Sequence, residues 1–238
     1  MMNLLALLFK GGLLGKVLLS AGTMLISILV YAQIFGWRFA AGFVGLIFVH
    51  EMGHYLAARQ RGLKVGLPTF IPFVGAWIDM KEKPHSVETE AYVGLAGPLA
   101  GTLGALGCYF MARQDSDHLL LALAYAGFMI NLFNLIPVSP LDGGRVTAVL
   151  SPRIWFLGVP LLIACFIYMP SPILILIGIV ALPQLRRAWH YDPQAPENRA
   201  YYGISLENRL FYTLYYLALV IFLALMTYNL HKILYGKI

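Results

Sequence analysis

Charge is what this chain has least of. Asp, Glu, Lys and Arg make up 12% of its 238 residues, against 60% hydrophobic residues, and its mean hydropathy is +0.74. An ordinary soluble domain carries about 25% charged residues, so a freely soluble fold is excluded. Also missing is a polar stretch large enough to fold by itself. The longest, Arg186 to Arg209, is the size of a connecting segment. No repeat, charge block or low-complexity tract is present. The two cysteines, Cys108 and Cys165, lie in different apolar runs, which leaves no CxxC metal knuckle and no disulfide framework.

What the chain has instead is long apolar runs. Crossing a bilayer takes about 20 such residues, and runs occur at 17–35, 39–58, 91–112, 119–136, 154–168, 173–185 and 210–228. The fifth and sixth are short and separated only by Met169-Pro170-Ser171-Pro172, so six or seven spans are expected. The fold class is an all-α polytopic membrane protein. Lys10 and Lys16 before an apolar run, with Val30-Tyr31-Ala32 after it, loosely imitate a signal peptide. The run is long for one, and an uncleaved first helix is the expectation. With a cytoplasmic N-terminus and seven spans, thirteen of the 17 Lys and Arg fall on the inner side. Only Arg38, Arg113, Lys232 and Lys237 are left outside. The net charge of +6 is then a topology signal, with no nucleic-acid partner implied.

Within the second run stands His50-Glu51-Met52-Gly53-His54. Ionisable groups at membrane depth are costly and mark function by default. On a helix His50 and His54 share one face, which suits two nitrogen ligands to one Zn²⁺. Glu51 lies beside that face, where it can take a proton from water activated by the metal. A catalytic zinc needs a third protein ligand. The fourth run ends in Asn134-Leu-Ile-Pro137-Val-Ser-Pro140-Leu-Asp142-Gly143-Gly144-Arg145. Its prolines break a helix, and both motifs fall near inner ends of spans that run the same way. By itself Asp142 reads as a turn residue capping a helix that begins at Gly143. Beside the histidine pair it reads as the third ligand.

Together, H-E-x-G-H and N-x-x-P-x-x-P-L-D-G-G resemble the site-2 protease family of intramembrane zinc metalloproteases. The resemblance takes in Phe70-Ile-Pro-Phe-Val-Gly75-Ala and Gly94-Leu-Ala-Gly97-Pro98-Leu-Ala-Gly101, and covers about residues 43–145. It implies one zinc per chain held by His50, His54 and Asp142. Glu51 would be the catalytic base, and Asn134 a contact to substrate or transition state. Several relatives carry Asn where this chain has Gly101, so any polar role there is absent or moved. Larger relatives carry PDZ or CBS domains, for which these 238 residues leave no room. The expectation is a single membrane-embedded domain over 1–238, with a catalytic core at about 39–150 and accessory helices at 1–38 and 151–238.

Two further stretches carry expectations. Gly94, Gly97, Gly101, Gly104 and Gly107 form a small-residue helical face, expected to pack on the motif helix. Residues 65–80, broken by Pro68 and Pro72, are too short to span and read as a short hairpin. It is either re-entrant beside the metal or an interfacial loop anchored by Phe70, Phe73 and Trp77. An open strand edge there, with Val74 and Ile78 as its substrate-binding positions, would hold an unwound substrate by β-augmentation. His85, His118, His190 and His231 read as interface histidines, with His85 alone near enough to substitute as a ligand. The resulting reading is peptide hydrolysis within or near transmembrane segments of membrane-protein substrates in the lipid bilayer. The expected setting is the plasma membrane with the site toward the cytoplasm. The alternative is a non-proteolytic membrane metal-binding protein, either a transporter or a helix-binding scaffold.

Overall fold

The computed structural model describes residues 12–236 apart from 74, 79–81, 83 and 116. Apolar runs without internal breakers become helices, and the breaks fall at glycine and proline. Helix α1 (Gly12–Phe35) meets α2 (Trp37–Gln60) at Gly36, whose φ of 79° is a left-handed turn that favours glycine. The chain then forms a hairpin, β1 (Thr69–Ile71) and β2 (Gly75–Trp77), before α3 (Val87–Asp115) and α4 (His118–Asn134). Asp117 caps α4 by accepting from the N–H groups of Leu119 and Leu120. After the Pro-rich turn come a short α5 (Asp142–Thr147), a 3-10 turn (Pro152–Leu157), α6 (Gly158–Tyr168) and α7 (Pro172–Trp189). Helices α8 (Pro196–Tyr202) and α9 (Leu206–Tyr235) complete the order.

Five of these helices are long and apolar enough to cross a membrane: α1, α2, α3, α7 and α9. Their outward faces are apolar, with Leu29, Leu103, Ile179 and Leu214 each more than half exposed. Faces of that kind need lipid rather than water. The chain is an all-α polytopic membrane protein with one small sheet. Two of the expected spans are shorter. Helix α4 stops at Asn134 ahead of Pro137, and run 154–168 divides into the 3-10 turn and an eleven-residue α6. At 1.5 Å per residue, α6 reaches only about half of a hydrocarbon core.

The interior is organised around α3, which packs against α2, α4 and α5. The main core joins residues of α3, α4, α5 and α9, including Phe128, Leu135, Val138 and Leu223. A second cluster joins Tyr31 of α1, Val44 and Ile47 of α2, and Phe70 of β1. The hairpin therefore sits between α1 and α2, with the Phe70 ring stacked on Phe48 of α2 at 6.4 Å. Phe70 is 3% exposed, so it is a core residue and not an interfacial anchor. Phe73 does stay exposed at the hairpin tip. The sheet is antiparallel, with Thr69 opposite Trp77, Phe70 opposite Ala76 and Ile71 opposite Gly75.

Candidate metal centre

Three buried side chains from two distant parts of the chain converge. His50 and His54 stand one turn apart on α2, and Asp142 lies in the first turn of α5. Nε2 of His50 is 3.1 Å from Nε2 of His54, and each lies 3.2 Å from Oδ2 of Asp142. Among the described residues this is the group of His, Cys, Asp and Glu side chains that could hold a metal ion.

The far nitrogen of each ring decides what its near nitrogen offers. Nδ1–H of His54 donates to the carbonyl of Val93 at 2.7 Å. Nδ2 of Asn131 donates to the carbonyl of Gly127 at 2.7 Å, which turns Oδ1 toward the His50 ring. Nδ1–H of His50 donates to that oxygen at 2.7 Å. With both protons held on Nδ1, both Nε2 atoms present lone pairs. The facing carboxylate oxygen is a third acceptor, and three acceptors at this separation repel unless a cation lies between them. Two imidazoles and a carboxylate form a catalytic zinc set, and ligand atoms about 2.0 Å from a tetrahedral zinc lie about 3.3 Å apart. The triangle fits a zinc ion.

Glycine lets the helices come close enough to form it. A Cβ at Gly53 would meet the Ala96 carbonyl and the Ala100 methyl within 2.8 Å, so α2 and α3 cross here backbone to backbone. The three nearest neighbours of a Cβ at Gly97 would all be atoms of the His54 ring, none beyond 2.6 Å. The glycine face of α3 does pack, but against three different elements. Gly97 and Gly104 meet α2, Gly101 meets Asn131 of α4, and Gly94 meets Arg145 and Val146 of α5. Gly107 has no heavy atom within 4 Å and plays no part.

Asp142 is held by a tightly bonded turn. Cβ atoms at Gly143 and Gly144 would run into the backbone of Leu135, Ile136 and Ser139, so α5 folds directly onto the end of α4. Asp142 is therefore a first-turn residue of α5, and Leu141 takes the cap position. The accessory helices secure this turn. Trp155 Nε1–H donates to the Gly144 carbonyl at 2.8 Å, and the Tyr216 hydroxyl of α9 donates to the Leu135 carbonyl at 2.6 Å.

The remaining expected residues are placed less tightly. Glu51 is half-buried beside the triangle and makes no hydrogen bond or ion pair among the described residues. Asn134 ends α4, half-buried, and its side chain makes no hydrogen bond among the described residues. Ile78 follows β2 and is half-buried, while Val74 falls outside the described residues. His85 is not in the metal group. The side chain that sequence reasoning passed over is Asn131, 1% exposed. Its signal was there: a polar residue within an apolar run is costly unless it has work to do. A Cβ at Gly101 would lie within 2.8 Å of the Asn131 amide. The polar group near this glycine thus reaches in from α4.

Known proteins share part of this sequence. The sequence pattern of peptidase family M50 matches residues 38–114, a segment that holds both histidines but ends before Asp142. A zinc metalloprotease of Methanocaldococcus jannaschii is 33% identical over 121 residues, covering 48% of this chain and 34% of that protein. A chloroplastic protein of Arabidopsis thaliana, named as a probable zinc metalloprotease, is 27% identical over 153 residues. That match covers 44% of this chain and 28% of the relative. The chain thus spans about a third of the length of these relatives. Over its segment 38–114 the chain is therefore similar to peptidase family M50.

Proposed function

We propose that the chain is an intramembrane zinc metalloprotease that hydrolyses peptide bonds within or near transmembrane segments of other membrane proteins. The observation that carries this reading is the triangle of His50, His54 and Asp142 with Glu51 beside it, set in apolar helices. The relatives' names, zinc metalloprotease and probable zinc metalloprotease, support the metalloprotease part of this reading. His50, His54 and Asp142 are the ligands. Zinc, when bound, supplies Lewis acidity, drawing the pKa of a water toward about 7 and polarising a carbonyl. Glu51 is the general base. Its carboxylate takes a proton as the water oxygen bonds to the scissile carbon, then delivers it to the departing amine as the C–N bond breaks. Asn131 and Val93 keep the imidazoles in the required tautomer and orientation. Asn134, at the end of α4, is assigned to contact substrate.

A helical substrate hides its carbonyls in hydrogen bonds, so it must unwind before it is cut. The hairpin is suited to hold the unwound piece. The N–H of Phe70 donates to Thr23 of α1 and so points away from β2. Its partner Ala76 is then in a non-hydrogen-bonded pair, and its N–H and C=O turn to the outer edge of β2. Ile78, two residues on from Ala76, continues that parity, which supports it as a substrate-facing position, while Val74 lies outside the described residues. Ala76→Pro removes a donor from the open edge without removing a ladder bond. It should slow cleavage of a helical substrate more than that of one weakened by Gly or Pro, with zinc content unchanged.

The charge distribution supports a site toward the cytoplasm, and the membrane is taken to be the plasma membrane. Quantitative proteomics of membranes with wild-type or Glu51→Gln chain tests the activity. Single-span proteins should accumulate with the variant. Identical membrane proteomes and no cleaved fragments with either chain would overturn the protease reading.

A further inference from the structure

Beside the metal triangle, where α7 ends, the structure forms a half-open cavity of about 590 Å³. Small-molecule sites occupy about 300–1,000 Å³. Its wall is built from α3, α5, α7 and α8. Two guanidinium groups line it, Arg145 from α5 and Arg187 from α7, with Gln184, Tyr201 and Tyr202 beside them. Glu90 is the acidic side chain on this wall, and it accepts from the Tyr201 hydroxyl at 2.5 Å, which ties α8 across the cavity. The charge balance of the lining is therefore positive. Arg145 forms a long ion pair with Asp142 at 3.7 Å. Arg187 makes no hydrogen bond or ion pair among the described residues. Burial pushes the Tyr202 phenol up to about 12, so it remains a donor at neutral pH.

We propose that this cavity binds a phosphate-bearing anion, gripped by Arg187 and Arg145. Planar guanidinium forks match phosphate oxygens in pairs, and the amide and phenol add donors where further oxygens would lie. The location suits such a ligand. The last turn of α7 carries Arg186, Arg187 and Trp189, the pairing of cation and aromatic that marks the headgroup level of a membrane. Basic pockets between membrane helices at that level take anionic headgroups. The volume exceeds what inorganic phosphate fills, leaving space for the rest of a headgroup or of a soluble phosphomonoester. The inference stands apart from the protease reading, since none of its evidence uses the metal.

The test uses the purified full chain in neutral detergent, with an equimolar mixture of phosphatidylglycerol and phosphatidylcholine, and lipid retained per chain is counted by mass spectrometry. A parallel arm measures binding of inorganic phosphate alone by equilibrium dialysis. R187Q should weaken phosphatidylglycerol or phosphate binding by about tenfold or more, as expected for losing a charged hydrogen-bond partner. R186Q removes a neighbouring cation that does not line the cavity, and should bind as wild type does. Retention of phosphatidylglycerol over phosphatidylcholine identifies a headgroup, and binding of inorganic phosphate identifies a soluble source. Equal binding by wild type and R187Q, or equal losses in R186Q and R187Q, would overturn the site.

Discussion

Replacing Gly97 with alanine adds one methyl group, which should cost the protein its metal. The new Cβ would have three atoms of the His54 ring within 2.6 Å, where ordinary contact begins at 3.4 Å. Metal–ligand distances tolerate about 0.2 Å, so a forced retreat of about 0.8 Å or more takes Nε2 out of ligand range. Loss of a supporting partner typically costs about 10–100-fold in metal affinity, and displacing a ligand should exceed that. Gly107→Ala is the internal control. It lies on the same helix, has no neighbour within 4 Å of a new Cβ, and shares the gain of up to about 1 kcal/mol in helix propensity. Zinc affinity by competition with a chromophoric chelator, with thermal melting by circular dichroism, separates the two variants. Gly107→Ala should bind zinc as wild type does, and Gly97→Ala should remain helical but bind weakly. Wild-type zinc affinity in Gly97→Ala would refute the packing argument and the position it assigns to His54.

Asn131→Ala should lower zinc affinity by about 10–100-fold, because it strands the buried Nδ1–H of His50; unchanged affinity would show that this bond does not hold the ring. Tyr216→Phe removes the hydroxyl that donates to the Leu135 carbonyl and should cost about 1 kcal/mol of stability in a melt, with zinc still bound. A cysteine placed at Glu197 should resist an impermeant thiol reagent in intact cells, while one at Asp115 should react. The reverse pattern would place the metal site on the outer side.

Much of this molecule is legible in its sequence because membrane helices announce themselves and costly residues within them stand out. The H-E-x-x-H pair needs only helical spacing to put His50 and His54 on one face. Asp142 is harder, since by itself a Pro-Gly turn explains it better, until span topology brings it to the depth of the histidine pair. Asn131 escapes because nothing local in α4 tells which helix its amide meets; that depends on how α3 and α4 cross. The same applies to the glycines of α3. Their spacing reveals a smooth face, but that Gly97 makes room for His54 and Gly101 for Asn131 is a property of the packed bundle. Phe70 reads as an interfacial anchor in isolation, and only the fold of α1 over the hairpin turns it into core. The supporting bonds from Trp155 and Tyr216 come from segments with no recognisable motif, where geometry alone connects residue to site.

Metal content tests the central claim most directly. Wild-type chain, Asp142→Ala and Glu51→Gln are purified in parallel and zinc per chain is measured by mass spectrometry. One zinc per chain in the wild type and in Glu51→Gln, with almost none in Asp142→Ala, is the expected result. That would assign the carboxylate of α5 to the metal and leave that of α2 free to act as base. Full occupancy in Asp142→Ala, or loss of zinc in Glu51→Gln, would contradict the ligand set and the mechanism built on it.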